Sequence, residues 1–284
     1  GRQNLNPEIK GESMIVNNGT TYTVNGVEKK LPFWGSLFNT VCKESKQENV
    51  CISPLSAQLA LSMTANGATG ETQQQMYGTM GLADDVNAKA KETIEQLSAN
   101  RYGCEVNIAN SIWVNEKLDV KQEFIDTNKE YFNALVTTAP FNNETLQRIN
   151  EWCSENTKGK IKSALDEIKK NDRMYLINAL YFKGGWKDEF NKGKTKEAPF
   201  TKEDGTVVEV PMMNQSIKTQ YYEDDILQIV VKLFDDTYQM LLVLPAEGVT
   251  TEEAAAHLSA NYEKILGEMS IYQVTLSMPR FQSD

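Results

Sequence analysis

Residues 174–190 read Met-Tyr-Leu-Ile-Asn-Ala-Leu-Tyr-Phe-Lys-Gly-Gly-Trp-Lys-Asp-Glu-Phe, and this stretch decides the fold. Within it, residues 175–182 form a nearly continuous apolar run that ends at Gly184 and Gly185. The length and aromatic content of the run favour a strand buried on both faces, although periodicity alone also allows a helix. Asn178 interrupts the run, and a buried carboxamide without partners costs about 1–3 kcal/mol. Asn178 is therefore either a satisfied core amide or part of a mechanism.

The bulk composition places the chain among globular proteins and excludes several classes. With 284 residues, 40% of them hydrophobic and 24% charged, the chain can bury a large core. The formal net charge of −10 argues against nucleic acid or an anionic membrane surface as the main partner. No apolar run approaches the roughly 20 residues that a membrane-spanning helix needs.

The cysteines do not indicate a disulfide framework or a metal site. Four of them (Cys42, Cys51, Cys104 and Cys153) are scattered along the chain, and no C-x-x-C pair occurs. We expect mostly buried thiols, and a single bridge stays open as an alternative. No cofactor and no metal are expected.

Catalytic patterns are also missing from the sequence. The one histidine, His257, follows three alanines in a predicted helix, so we expect a partly exposed helix residue without a role as a base. No G-x-S-x-G elbow occurs, and residues 67–70 lack the Lys and Ser/Thr of a phosphate loop. Three adjacent pairs of aspartates at predicted turns are interpreted as solvated acids: residues 84–85, 224–225 and 235–236. The chain is not expected to be an enzyme.

Two hydroxyls lie at the start of a helix in the first third of the chain. Residues 49–53 predict a short strand that leads into this helix, with Ser53 as N-cap and Pro54 as its first residue. Ser56 offers a further hydroxyl in the first turn. Residues 55–65 are apolar on nearly all sides, which predicts a helix in the centre of the protein. By themselves, these serines are better explained as a helix cap than as part of a mechanism.

The rest of the chain alternates between helical and strand patterns. Residues 1–30 are polar, with a short strand expected at 21–24, and a helix begins at Pro32. Further helices are predicted at 72–80, 83–100, 121–135, 143–158, 251–258 and 261–269. Further strands are predicted at 106–114, 136–141, 217–222, 227–234, 238–244 and 272–278. Three glycosylation sequons begin at Asn18, Asn143 and Asn214 and carry little weight, because such tripeptides arise easily by chance.

Several of these stretches resemble the serpins, the serine-protease-inhibitor superfamily. Residues 178–186, Asn-Ala-Leu-Tyr-Phe-Lys-Gly-Gly-Trp, are similar to the third strand of the large central serpin sheet. Residues 49–81, with a Gly-Ala-x-Gly-x-Thr turn, are similar to a serpin inner strand and the two helices after it. Residues 109–113 resemble the second sheet strand, and residues 149–161 resemble the helix that lies across the sheet. The resemblance covers about residues 31–281.

The resemblance implies an α+β fold with a large mixed central β-sheet, further sheets and eight or nine helices. Residues 1–30 would be a polar N-terminal leader or linker, and residues 31–284 an incomplete serpin domain. A serpin continues well beyond the matched part, so we expect the chain to be a fragment or a cleaved piece. The reactive bond would then lie outside it, and the protein's own C-terminal segment would be one of its partners.

The resemblance also assigns roles to residues. Ser53, Pro54, Ser56 and Asn178 match the shutter, a polar cluster that governs the opening of the central sheet. Trp186 matches the breach, where the reactive loop enters; its other interpretation is an aromatic ring packed above the glycine pair.

The implied function is inhibition of a serine protease, with cysteine proteases as a second class, through a suicide mechanism in a metastable fold. A serpin without inhibitory activity, acting as a carrier, chaperone or storage protein, is the alternative. A monomer and an extracellular or cell-surface location are expected, and an intracellular location stays open.

Overall fold

The computed structural model describes residues 14–17, 19–45, 49–99, 103–169 and 171–282. In this part of the chain the helices are α1 (Phe33–Glu44), α2 (Pro54–Ala65), α3 (Gly70–Met80), α4 (Val86–Ser98), α5 (Gln122–Phe132), α6 (Asn143–Asn156), α7 (Thr251–Ala260) and α8 (Tyr262–Glu268). The strands are β1 (Met14–Val16), β2 (Thr21–Val24), β3 (Val27–Lys30), β4 (Glu105–Asn115), β5 (Leu135–Ala139), β6 (Met174–Lys183), β7 (Lys196–Thr201), β8 (Val207–Glu223), β9 (Leu227–Leu233), β10 (Gln239–Pro245) and β11 (Ser270–Pro279). Eight helices and several sheets confirm the predicted α+β class.

The chain forms two compact units. One comprises Ser53–Gly184, and the other combines Gly1–Ile52 with Gly185–Asp284. Each unit is described by itself below.

The unit Ser53–Gly184 is built on a three-stranded sheet in the order β5-β4-β6. The central strand β4 runs parallel to β5 and antiparallel to β6, with a ladder from Glu105–Lys183 to Val114–Met174. In the described residues β6 pairs along one edge only, and just one of its side chains, Ala179, is fully buried. The prediction of a strand is confirmed, but in the described residues most side chains of β6 are half-buried, so the prediction of full burial on both faces is wrong for this part of the protein.

Helix α2 packs against β6 and begins as the sequence predicts. Ser53 is its N-cap and Pro54 its first residue. The prediction of burial on all sides is wrong: the fully buried positions are Leu59, Ser62, Met63 and Ala65, whereas Leu61 is 39% exposed. The short strand predicted before the helix is not formed, because residues 49–53 have no ladder partner in the described part of the chain.

The second unit contains a five-stranded antiparallel sheet in the order β10-β9-β8-β11, with β7 also pairing with β8. Its apolar core combines Leu227 and Ile229 of the sheet with Leu258 of α7 and Ile265 of α8. Helix α1 packs against α7. This crossing is close, because a Cβ atom added at Gly35 would lie only 2.2 Å from the Oγ atom of Ser259.

Strands β1, β2 and β3 form a small antiparallel sheet that includes the predicted strand Thr21–Val24. Asn25 and Gly26, with φ angles of 50° and 76°, form the tight turn between β2 and β3. Two-residue hairpin turns need positive φ at both positions, which Asn-Gly tolerates best. The boundary predicted between residues 30 and 31 stays a prediction.

Candidate functional site

An asparagine pair connects the two central strands of the unit Ser53–Gly184. Asn178 of β6 lies directly opposite Asn110 of β4, and its Nδ2 atom donates to Asn110 Oδ1 at 2.8 Å. Asn110 is only 2% exposed, and its own Nδ2 donates to the carbonyl of Phe132 at 2.8 Å. Three groups are thus joined in a chain of hydrogen bonds across β4, and Asn178 stands at its end.

Asn178 keeps one buried acceptor without a partner. Within the described residues, its Oδ1 atom is inaccessible to solvent and accepts no hydrogen bond. Leaving such an acceptor unpaired costs about 1–3 kcal/mol, so a group that supplies a donor here would gain that much. The acceptor belongs to the strand whose second edge is unpaired in the described residues.

Ser53 and Ser56 form a separate polar pair at the start of α2. The backbone N–H of Ser56 donates to Ser53 Oγ at 3.2 Å, and the Ser53 hydroxyl donates to Ser56 Oγ at 2.9 Å. Of the predicted shutter residues, the structure therefore brings Ser53, Pro54 and Ser56 together. Within the described residues neither serine hydroxyl is hydrogen-bonded to Asn178, whose partner is Asn110 instead.

Trp186 lies in the other unit, against a neighbouring aromatic ring. Its ring stacks on Phe234, with centroids 4.4 Å apart and an angle of 12° between the planes. The alternative role that the sequence suggested for Trp186, packing above the glycine pair, stays a prediction.

Lys232 of β9 is buried beside Trp186. It is only 1% exposed, and its Nζ atom lies 5.1 Å from the Trp186 ring centroid and 4.5 Å from that of Phe190. Nζ also donates to the carbonyl of Asp188 at 2.5 Å and to Gln215 Oε1 at 2.8 Å. Burial lowers the pKa of Lys232, and the negative charge of Asp188 opposes this shift. The two carbonyl oxygens and the two aromatic faces are therefore what accommodates the ammonium group.

A second buried charged group lies between α7 and the turn after β8. His257 Nε2 lies 2.7 Å from Asp224 Oδ2, and their side chains are 14% and 5% exposed. Burial by itself would raise the pKa of Asp224, but the hydrogen bonds from His257 and from the backbone N–H groups of Ile226 and Leu227 lower it overall. The interpretation of Asp224 as a solvated acid is therefore wrong, and so is that of Asp235, which is 6% exposed.

Sequence reasoning missed three residues of these clusters: Asn110, Lys232 and Asp224. A signal existed for the first, because Asn110 and Asn178 both interrupt apolar strands. For Lys232 the signal was weaker, a single cation inside the apolar strand Leu227–Leu233. Asp224 resembled the other acidic turns, and nothing local separated it from them.

Other candidate sites do not form in the described part of the chain. Among these residues no group of histidine, cysteine and acidic side chains is arranged to hold a metal ion. None of the described helices has the length and apolar character that crossing a membrane requires. No disulfide joins the cysteines in the described residues; Cys104 and Cys153 are buried, but Cys51 is exposed, which the sequence did not predict.

Of the three sequons, two lie in described residues. Asn143 is exposed at the start of α6, whereas the side-chain Nδ2 atom of Asn214 in β8 donates to the backbone carbonyls of Lys194 and Met212. Asn18 lies outside the described residues.

Comparisons with known proteins agree on one family. A family model described as serpin (serine protease inhibitor) matches residues 30–284. Human serpin I2 is 31% identical over 269 residues, which are 90% of this chain and 66% of that protein. Mouse plasminogen activator inhibitor 1 is 34% identical over 233 residues, or 76% of this chain and 57% of that protein. The chain thus spans less than two thirds of the length of these relatives.

Solved structures show the same fold. The thermophilic serpin tengpin in its latent state superimposes with a TM-score of 0.79 at 32% identity, over 88% of this chain and 69% of that one. Thyroxine-binding globulin in complex with thyroxine superimposes with a TM-score of 0.80 at 26% identity, over 88% of this chain and 71% of that one.

Proposed function

Because the chain belongs to the serpin family, we propose that the protein inhibits proteases, serine proteases first and cysteine proteases second, as a suicide substrate. In this mechanism a protease attacks the reactive loop of the serpin and becomes acylated. The cleaved loop then joins the central sheet as an extra strand, and the attached protease is distorted before it can hydrolyse the acyl bond. The protein has the role of a trap in this proposal, not that of an enzyme.

One observation carries the proposal: the serpin family model matches residues 30–284, and these include β6, which resembles the central-sheet strand beside which the loop of a serpin inserts. In the described residues the backbone of β6 pairs with β4 on one side only. An added strand would complete the backbone hydrogen bonds of β6 along the other edge. The buried, unpaired Oδ1 of Asn178 belongs to the same strand, so a donor carried by the added strand would gain a further hydrogen bond.

The polar pairs on α2 and on β6 supply the shutter in this proposal. Helix α2 packs against β6, and its first turn carries the Ser53–Ser56 pair. Asn178 ties β6 to β4 through Asn110. Movement of β6 to admit a strand would exchange one set of hydrogen bonds for another, and that exchange sets part of the kinetic barrier. Trp186 has the breach role in the same scheme.

The test is to mix the full-length protein with trypsin-, elastase- and subtilisin-like proteases, and with a papain-like cysteine protease. Denaturing gels and residual protease activity are then measured. We expect a covalent complex and a loss of activity with at least one serine protease. Simple cleavage by every protease, with full activity retained, would contradict the proposal.

A carrier function is the second candidate, because thyroxine-binding globulin in complex with thyroxine is among the similar structures. The two candidates differ in one measurement. After cleavage in its exposed loop, an inhibitor gains resistance to urea, because the loop has joined the sheet. A protein that forms no protease complex, and whose urea resistance stays the same after cleavage, would be assigned to the carrier class.

We also propose that the protein is a monomer that acts outside the cell or at its surface. The exposed sequon at Asn143 supports an extracellular location, whereas the exposed thiol of Cys51 suits a reducing interior. Fractionation of the source cells, with detection by antibody, separates the two. Recovery from the cytosol alone would contradict an extracellular location. Light scattering of the purified protein tests the monomer.

A further inference from the structure

The segment Trp186–Phe190 wraps around one buried cation. The rings of Trp186 and Phe190 lie near the ammonium group of Lys232, and the carbonyl between them, that of Asp188, accepts its hydrogen bond. Gln215 strengthens the same arrangement: its Oε1 accepts from Lys232, while its Nε2 donates to the carbonyls of Asp188 and Glu189. We call Lys232, Gln215 and the segment 186–190 the lysine clasp.

A cation at this position needs an explanation, because an apolar side chain of the same length would fill the space without a desolvation cost. Replacement of buried charged groups by apolar ones is often neutral or stabilising. What the ammonium group adds is directionality: two of its protons point at fixed oxygens and its charge attracts two ring faces. These are interactions with one segment, 186–190, more than with the core as a whole.

This segment follows β6 directly in the chain. β6 ends at Lys183, and only Gly184 and Gly185 separate it from Trp186. Glycine gives the backbone the greatest conformational freedom, and Gly185 has open space where a side chain would be. The two glycines therefore give the backbone conformational freedom between the end of β6 and the segment 186–190.

We propose that Lys232 is a positioning residue that holds the segment 186–190 on β9, and that release of this segment sets how fast a strand is added at the edge of β6. The second half of this statement rests on the proposed function. In the proposed inhibitory mechanism Lys232 touches neither the protease nor the reactive loop. It acts only through the segment that carries Trp186.

The first half is tested by hydrogen exchange of the full protein. The backbone N–H of Lys187 donates to the carbonyl of Leu233 at 2.9 Å, so its exchange reports whether the segment lies on β9. In Lys232→Met we expect this amide to exchange about tenfold faster, which corresponds to about 1.4 kcal/mol of local stability. The midpoint of global unfolding in urea should stay the same or rise, because the buried charge is gone.

Two further variants make this result specific. Phe190→Leu removes one ring from the ammonium group without changing the lysine, and should also speed exchange at Lys187. Val231→Ala is the matched control. Val231 is the neighbouring residue of β9 and is equally buried at 1% exposure, but its apolar side chain can form neither a cation–π contact nor a hydrogen bond with the ammonium group. It should lower the global midpoint and leave the Lys187 amide protected. Unchanged exchange at Lys187 in both Lys232→Met and Phe190→Leu overturns the clasp.

The second half is tested by the rate at which the protein converts on mild warming to a form that resists urea. Lys232→Met should convert several-fold faster than the wild type, and Val231→Ala should be compared at equal global stability. Faster exchange at Lys187 with an unchanged conversion rate overturns the role in strand addition. If the wild type neither converts nor traps any protease, this half is refuted together with the proposed function, while the exchange data still decide the clasp.

Discussion

The asparagine pair across β4 and β6 makes the sharpest prediction, because in the described residues the pair already holds a buried oxygen without a hydrogen bond, Asn178 Oδ1. Asn178→Ala removes that oxygen but leaves the buried Oδ1 of Asn110 without its donor. One unpaired acceptor is exchanged for another, and the lost hydrogen bond remains as a net cost of about 1 kcal/mol. With the lost side-chain packing, we expect Asn178→Ala to destabilise the protein by about 1–2 kcal/mol.

Asn110→Ala should cost more. It removes both hydrogen bonds of this side chain and leaves Asn178 Nδ2 and the Phe132 carbonyl without partners, for about 2–4 kcal/mol. In the double variant the shared hydrogen bond can be lost only once. Its destabilisation should therefore fall short of the sum of the single effects by about 1 kcal/mol.

The assay is equilibrium unfolding in urea of wild type, both single variants and the double variant. Asn107→Ala provides the control: Asn107 is also on β4, but its amide donates to the carbonyl of Asn156 at 2.7 Å and shares no partner with Asn178. Its effect should add to that of Asn178→Ala. A coupling energy below about 0.3 kcal/mol between Asn110 and Asn178 would show that the two side chains contribute to stability independently. The proposed shutter role of Asn178 would then lose its structural support.

Three further predictions follow from single contacts. In thermal melts, Gly35→Ala should destabilise the protein by about 1–3 kcal/mol, because the new methyl group would lie 2.2 Å from Ser259 Oγ. Adding Ser259→Gly to this variant should restore stability. Gly78→Ala is the control: its methyl group meets nothing within 4 Å, so it should stabilise the protein by about 0.5–1 kcal/mol. Burial and the hydrogen bond to the Asp172 carboxylate raise the pKa of Tyr175 from 10.0 to about 12. The contribution of Tyr175 to stability is therefore complete below pH 10 and is lost as the pH rises towards 12. Tyr175→Phe should lose less stability than the wild type over this range, and an identical alkaline decline of both proteins would refute the raised pKa. The pKa of Asp224 is lowered from 3.8, so its contribution to stability is present above pH 3.8 and is lost as the pH falls through the pKa of the folded state. The stability of Asp224→Asn should therefore fall less steeply with decreasing pH than that of the wild type. An equally steep fall in both proteins would contradict the lowered pKa.

The sequence predicted well what local chemistry decides. The cap of α2 was predicted because Ser53 and Pro54 act within one turn of their own helix. Strand β6 was predicted in type and within one residue at each end, because its apolar run and the following glycines are local signals. Its burial was overestimated, since the burial of each face depends on what packs against it, which no window of residues contains.

Pairs of polar groups were the least predictable part of the site. Asn178 could be recognised as a group that needs a partner, but the partner lies 68 residues away and is fixed by the register of β4 against β6. The same holds for His257, whose partner Asp224 lies 33 residues away in a turn that looks like any other acidic turn. Chemistry identifies one member of each pair, and only the tertiary fold identifies the other.

The edge of β6 connects these observations. An apolar edge strand of ten residues is a site at which other chains add and aggregate, unless charge, proline or a bulge protects it. β6 contains no proline, and its one charged residue, Lys183, stands at its end. Its ladder with β4 continues in register from Met174 to Lys183, so no bulge interrupts it. Since none of these three protections is present in the described strand, its edge is suited to pair with a further strand, and under the proposed function the reactive loop is one strand that would pair there.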